Sequence, residues 1–369
     1  MAITEEPKKL GFGMMRLPRR GVVIDVEKTK QMVDLFMAAG FTYFDTAYAY
    51  TGSETATRKA LVERYPRESF TIATKLAAGL KPTEKGAKKE LETSLERSGA
   101  GYIDYYLLHS LMAGNYKLYE KYHLWDFLQE QKAAGRIRHY GFSFHDSPEL
   151  LDEILTAHPD VEFVQLQINY ADWEDPRVAS RRNYEVARKH GKRIVIMEPV
   201  KGGKLANPPE EVQKLFRQAN PDRSFASWAI RFAASLDGVL TVLSGMSTIE
   251  QMKDNLSYMT NFEPLNDAER RVLHEAERIL GATNTIPCTA CRYCTEGCPK
   301  QIPIPDVFSA TNLLLGSGRR EEAEAAYAAL PIGRSAADCI ACRKCEKVCP
   351  QHIEVSERMK ETVKLFEQN

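Results

Sequence analysis

The chain has 369 residues, 43% hydrophobic and 27% charged, with 50 basic side chains against 50 acidic ones. That length holds one large core plus a small second domain, and a formal net charge of zero argues against a nucleic-acid partner. Met1 to Lys9 carries acidic residues without an apolar core of signal-peptide length, and no run of about eighteen apolar residues occurs, so the expectation is a cytoplasmic protein with no membrane span.

From the amino end, short apolar runs rich in Val, Ile, Tyr and Phe alternate with longer helical patterns, the signature of parallel βα units. Strands are predicted at Leu10–Met14, Thr42–Asp45, Phe70–Lys75, Ile103–His109, His139–Ser143, Phe163–Gln167, Ile194–Glu198 and Val239–Leu243. Helices are predicted at Val26–Ala39, Ser53–Tyr65, Thr83–Arg97, Leu118–Ala134, Pro148–Ala157, Arg177–His190, Asp222–Ala234 and Ile249–Met259. Several open on Ser, Asp or Thr and close at Gly40, Gly99, Gly135 or Gly191, as caps demand. Eight such units close a (β/α)8 TIM barrel, an α/β fold assigned to residues 1–262.

In such a barrel the chemistry belongs at the carboxyl ends of the strands. Asp45, Lys75, His109, Ser143, Gln167 and Glu198 end strands two to seven and so converge on one rim. Lys201-Gly202-Gly203 after strand seven, and Gly245 to Ser247 with Gln251 and Asn255 after strand eight, occupy the place where these barrels commonly bind phosphate. His145 and Trp173 fall in loops after strands five and six. Arg19-Arg20 and Arg181-Arg182 read as solvated surface pairs or a docking patch.

Asp45-Thr46-Ala47-Tyr48-Ala49-Tyr50 with Gly52-Ser53-Glu54, Thr74-Lys75 and Leu107-Leu108-His109 together resemble the aldo-keto reductase family over residues 10–260. The resemblance implies a catalytic tetrad: Tyr50 protonates a substrate carbonyl, Lys75 lowers its pKa, Asp45 holds Lys75, and His109 orients the carbonyl oxygen. The chemistry is consistent with those roles, since a phenol of pKa about 10 is a poor acid at neutral pH unless a cation stabilises the phenolate. A neutral His109 donates to developing alkoxide. The resemblance also implies that Ser143 and Gln167 contact a nicotinamide carboxamide. Phe144 stands where relatives usually have Asn, Glu198-Pro199 where many place a stacking ring, and the Lys-Ser and Arg that grip a 2′-phosphate are absent near Ser247.

Beyond residue 262, Phe262 to Ile286 reads as a connection containing the charged helical run Asp267–Leu280, and residues 263–369 as the second domain. Its cysteines lie at Cys288, Cys291, Cys294 and Cys298-Pro299, and again at Cys339, Cys342, Cys345 and Cys349-Pro350, so all eight in the chain fall in two copies of one spacing. That spacing is the run of bacterial ferredoxins with two [4Fe–4S] clusters. Zinc does not explain a third cysteine at the same step in both copies, and a disulfide scaffold does not suit a reducing compartment. Resemblance to two-cluster ferredoxins implies Cys288, Cys291, Cys294 and Cys349 on one cluster and Cys339, Cys342, Cys345 and Cys298 on the other. Helices predicted at Asp306–Leu315, Glu321–Leu330 and Glu354–Phe366 make this a mainly helical ferredoxin-like domain.

Clusters pass single electrons, whereas carbonyl reduction needs a hydride equivalent, so a two-electron carrier must stand between them. FMN in the barrel mouth is the favoured carrier; NAD(P)H with structural or peripheral clusters is the alternative. The expected substrate is a small carbonyl compound or alcohol, and the expected partner a ferredoxin-like electron-transfer protein. Exposed clusters further predict oxygen sensitivity, as in an anaerobe. Two other readings compete: an aldolase-like barrel with Lys75 as Schiff-base former, and a non-catalytic electron-transfer or redox-sensing module.

Overall fold

The structure is a computed structural model that describes residues 7–282 and 285–367. Eight parallel strands close into a barrel: β1 (Leu10–Gly13), β2 (Tyr43–Asp45), β3 (Thr71–Leu76), β4 (Ile103–Leu111), β5 (Ile137–Phe144), β6 (Phe163–Gln167), β7 (Arg193–Met197) and β8 (Val239–Ser244). Each pairs with its sequence neighbour, and β1 closes against β8 with Phe12 opposite Ser244. The strands are short because both faces are covered, and their apolar side chains are buried inside and out, as a parallel sheet requires. Tyr43, Tyr105, Leu107, Phe163, Val195 and Leu243 belong to one buried cluster that fills the barrel.

All eight predicted strands are present, displaced by at most two residues at an end. The helices depart more. The predicted Leu118–Ala134 helix is two, Tyr116–Lys121 and Leu124–Ala133, because His123 sits in the left-handed region (φ 49°) and interrupts the hydrogen-bond ladder. Ser53–Tyr65 is an α-helical turn to Thr57 followed by a π-helical segment, Arg58–Val62. Arg177–His190 begins only at Ser180, behind Ala179 at φ 51°. Two features escaped the sequence reading: a hairpin of Arg19–Arg20 with Val23–Ile24, and the helix Glu210–Ala219, which opens behind Pro209 on two acidic residues.

The chain divides into two compact units. The first runs to Glu174 and takes in Ala179–Pro199 and Ala226–Asn266; the second joins Asp175–Val178 and Val200–Phe225 to the chain from Asp267 onward. The long segment after β7 is therefore built into the second unit, where Glu210–Ala219 packs on Asp267–Gly281. Residues 283 and 284 of the expected connection lie outside the described residues. The helices Ile304–Ser317, Arg320–Ala328 and Val355–Phe366 complete the unit around Ile286, Ile302, Val307, Phe308, Ile353 and Met359. Tyr327 stacks on Phe366 at 4.4 Å. Among the described residues no helix is long and apolar enough to cross a membrane.

Candidate active site and cluster pockets

At the carboxyl end of β2 the chain leaves Asp45 through Thr46 and Ala47, and Tyr50 is fixed by its N–H on Ala47 O (3.0 Å) and its O receiving the Ser53 N–H (2.9 Å). Gly52, at φ 78°, makes the turn that starts the next helix. Lys75 enters from β3 and is fully buried; its Nζ donates to Asp45 Oδ1 (2.7 Å), Asp45 Oδ2 (2.9 Å) and Thr46 O (2.7 Å). All three ammonium protons thus have acceptors, which a buried charge requires. The same Nζ lies 4.9 Å from the centre of the half-buried Tyr50 ring, and His109 from β4 meets that ring edge-on at 5.7 Å. Four side chains from three strands and one loop thus share one point on the rim.

Burial pushes the Lys75 ammonium below its usual value and the Asp45 carboxyl above its own, and each partner's charge opposes the shift of the other. His109 is pushed well below its usual value by burial, then by the charges of Lys75 and His145, so its ring is neutral at pH 7. Residues not anticipated as functional hold these groups in place. Tyr119 donates its hydroxyl to His109 O at 2.5 Å. Ser110, at φ 58° just after His109, gives its N–H to Ser143 Oγ at 2.7 Å, and Asn115 Nδ2 donates to Ser110 O at 2.8 Å. Glu54 is buried between Thr74 Oγ1 (2.7 Å) and Arg97 (3.3 Å); it was visible only as the third residue of Gly52-Ser53-Glu54.

Among the expected cofactor contacts, Ser143 and Gln167 are buried at the ends of β5 and β6. Gln167 Nε2 donates to Asp172 Oδ2 at 3.0 Å, and the same oxygen accepts from Asn169 Nδ2 at 2.8 Å. Glu198 follows β7 in the left-handed region (φ 56°) with its carboxylate 3.6 Å from Arg16. After β8, Ser247 donates Oγ to Arg16 O and its N–H to Gln251 Oε1, while Gly245 and Gln251 are exposed. Asn255 is buried, donating to Ser244 Oγ and accepting from Tyr258, both at 2.6 Å. Lys201, Gly202 and Gly203 belong to the second unit and are all left-handed. A Cβ on Gly202 would lie 2.4 Å from Thr289 O, and Lys204 Nζ donates to Ile286 O at 2.8 Å, so this loop is shaped by packing against the first cysteine run.

The remaining candidates are engaged locally. His145 takes Leu111 O through its N–H (3.1 Å), and Trp173 packs edge-on against Phe232 at 5.3 Å. Arg20 pairs with Asp25, Arg181 with Glu174 and Glu185, and Arg182 with Glu149.

The cysteines line two separate cavities. Cys288, Cys291, Cys294 and Cys349 surround one, and Cys298, Cys339, Cys342 and Cys345 surround another. The two runs repeat an unusual backbone: Ala290 and Arg292 in the first, Ala341 and Arg343 in the second, all have positive φ, as do Gln301 and His352 at equal distances past Cys298 and Cys349. Each non-glycine residue so placed costs roughly 1–2 kcal/mol, so the same strain written twice points to a common demand on both loops.

The donor set suits iron–sulfur clusters better than single ions. Four thiols line each pocket, and the third cysteine at the same step in both runs has no place in a paired C-x2-C zinc site. A cubane spreads four thiolates over its corners. Burial pushes Cys294 up to about 12 and Cys345 to about 11, with neighbouring cysteines adding to Cys294. Backbone N–H groups of Ile353, Gln351 and His352 favour the Cys349 thiolate against the same burial.

Comparison with known proteins agrees with this geometry. Residues 9–278 match the model of the aldo/keto reductase family, and residues 287–354 that of a 4Fe-4S dicluster domain. An aldo-keto reductase of Mycolicibacterium paratuberculosis is 27% identical over 76% of this chain and 94% of its own, and one of Mycolicibacterium vanbaalenii is 31% identical over 64% and 79%. The solved aldo-keto reductase AKR11C1 from Bacillus halodurans, in its holo form, superposes with a TM-score of 0.59 at 25% identity, covering 73% of this chain and 95% of that one. An aldo/keto reductase from Klebsiella pneumoniae solved with NADP and acetate shares the fold at a TM-score of 0.60 and 17% identity, over 74% and 96%. The chain is an oxidoreductase that belongs to the aldo/keto reductase family and carries a 4Fe-4S dicluster domain behind it.

Proposed function

We propose that the protein reduces a small carbonyl compound, or runs the reverse oxidation, at Asp45, Tyr50, Lys75 and His109, with single electrons supplied through two [4Fe–4S] clusters. The observation that carries this reading is the Lys75 ammonium, held by Asp45 and Thr46 and facing the Tyr50 ring at 4.9 Å. The substrate oxygen sits between Tyr50 and His109. His109, neutral, donates a hydrogen bond to it, and Tyr50 gives it a proton while Lys75 favours the phenolate left behind. The balance is one carbonyl, two electrons and two protons to one alcohol: the C=O π bond breaks, a C–H and an O–H bond form, and solvent reprotonates Tyr50.

FMN is the favoured two-electron carrier, because it accepts electrons one at a time and delivers a hydride when bound. Ser143, Gln167 and Glu198 are the residues to hold its ring, and Gly245, Ser247, Gln251 and Asn255 line the approach after β8. NAD(P)H is the second reading, supported by the Klebsiella relative solved with NADP. In either case Cys288, Cys291, Cys294 and Cys349 hold one cluster and Cys298, Cys339, Cys342 and Cys345 the other, which fits a reducing, cytoplasmic setting.

Anaerobic purification, followed by release and identification of the chromophore beside iron and sulfide analysis, tests the cofactors. FMN near one per chain with about eight irons is the expected result; full iron with no flavin and tight NADPH binding returns the barrel to nicotinamide chemistry. A Tyr50→Phe variant with unchanged carbonyl turnover would end the reading.

A further inference from the structure

The two cluster pockets differ at their rims. The pocket of Cys288, Cys291, Cys294 and Cys349 has one lining cation, Arg292, whose guanidinium is taken up by Asp306 at 2.7 and 3.0 Å. One of its four ligands, Cys349, is only 9% exposed. The pocket of Cys298, Cys339, Cys342 and Cys345 is lined by three cations, Lys300, Arg343 and Lys344, all exposed, and Cys342 is itself exposed.

Lys347 follows in the short helix Glu346–Val348, and among the described residues no ion pair reaches Lys300, Lys344 or Lys347. Arg343 meets Glu346 and Glu357 only at 3.9 Å, the loose limit of pairing. Those two carboxylates are already engaged. Glu346 accepts from Ser356 N–H (2.9 Å) and Oγ (2.5 Å), and Glu357 pairs with Lys360 at 2.9 Å. One large apolar side chain that lines the same pocket, Ile340, stands 57% exposed beside these cations. An exposed apolar side chain beside cations whose charge no carboxylate takes up closely is the composition of a docking patch rather than of a solvated face.

We propose that this face docks an acidic one-electron carrier protein, and that electrons enter the chain through the cluster held by Cys298, Cys339, Cys342 and Cys345. The proposal rests on the cluster assignment made above. The carrier's reduced centre loses one electron and the cluster gains one, with no bond made or broken in this chain; two such encounters supply one carbonyl reduction. The lysines steer the acidic carrier, and Ile340 gives contact once water is expelled. The other pocket, with its cation neutralised by Asp306 and a ligand buried, passes electrons within the chain.

The test uses the anaerobic holoprotein and a strongly acidic plant-type [2Fe–2S] ferredoxin, chemically reduced, with bleaching of the cluster absorbance followed by stopped flow. The rate is expected to fall as salt rises, and Lys344→Glu with Lys347→Glu to slow it about tenfold or more at low salt. The pair Lys344→Gln and Lys347→Gln should fall between, and Lys214→Glu, on the helix Glu210–Ala219, should leave the rate unchanged. Reduction by a small neutral photoreduced deazaflavin should be equal in all variants, showing that the clusters are intact. A ferredoxin rate insensitive to salt and to both lysine pairs overturns the proposal, even where carbonyl turnover proceeds. If the rates respond as expected but no carbonyl is reduced, the docking face stands and the proposed reaction fails.

Discussion

The barrel rim and the cluster pockets hold their functional groups by opposite means. At the rim the charge is balanced inside the chain: the buried Lys75 ammonium has three acceptors, two on Asp45 and one on Thr46. In the pockets the thiols are pushed up by burial, as at Cys294 and Cys345, and the loops carry repeated left-handed residues. The Lys75 charge finds its acceptors within the protein, whereas on the proposed function the pockets' thiols and left-handed loops find their partner in iron.

The largest expected effect follows from that contrast. Chelating the iron should unfold the second unit's cysteine loops while the barrel keeps its structure, seen as partial loss of far-ultraviolet dichroism with a retained cooperative melt. Cys349→Ser should remove roughly half of about eight irons and leave the second cluster's spectrum, because Cys349 lines only the first pocket.

At the rim, Tyr50→Phe should lower carbonyl turnover by about 10²–10⁴-fold, the share a general acid usually carries, with iron content unchanged. Lys75→Met should lose turnover and also cost about 3–5 kcal/mol in a denaturant titration, since it leaves Asp45 buried without its partner. Asp45 and Lys75 replaced together should cost less than the sum of the two single changes.

Gly202→Ala tests the packing that shapes the loop after β7. Its Cβ would meet Thr289 O at 2.4 Å, so a loss of about 1–3 kcal/mol is expected, read as a lower melting point of the second unit.

A pH dependence is expected as well. Glu90 is buried with Oε2 on the Ala77 N–H (2.8 Å) and no partner for Oε1 among the described residues, and burial raises its carboxyl to about 7. The folded state therefore binds this proton more tightly than the unfolded chain. The stability it contributes is full below the ordinary value of 4.5 and is lost as pH rises to about 7. Glu90→Gln, which imitates the protonated form, should gain stability over the parent between those pH values and hold a constant advantage above them; a constant difference throughout contradicts the assignment.

Much of this was legible in the sequence, for physical reasons. Strands buried on both faces must be apolar runs, so all eight could be read, and the polar residue ending each run marked the rim. The cysteine spacing is local and survives any fold. Other features depend on contacts across the chain. Nothing in Thr46 or Tyr119 announces that one offers a carbonyl to Lys75 and the other a hydroxyl to His109 O. The glycines after β7 were legible as a loop, but not the close approach of Thr289, far along the chain, to Gly202. The breaks at His123 and Ala179, and the left-handed Ala290 and Ala341, carry no residue signal, since alanine and histidine are ordinary helix residues.

On the proposed function, electrons from the clusters reduce a carbonyl at the Tyr50 site. The most direct measurement is a single turnover: anaerobic holoprotein with reduced clusters is mixed with an aldehyde panel, and cluster reoxidation is followed beside alcohol formation. One alcohol per two electrons lost from the protein is expected, with clusters that stay reduced in Tyr50→Phe. Alcohol formed while the clusters remain reduced, or clusters reoxidised equally without Tyr50, would contradict it.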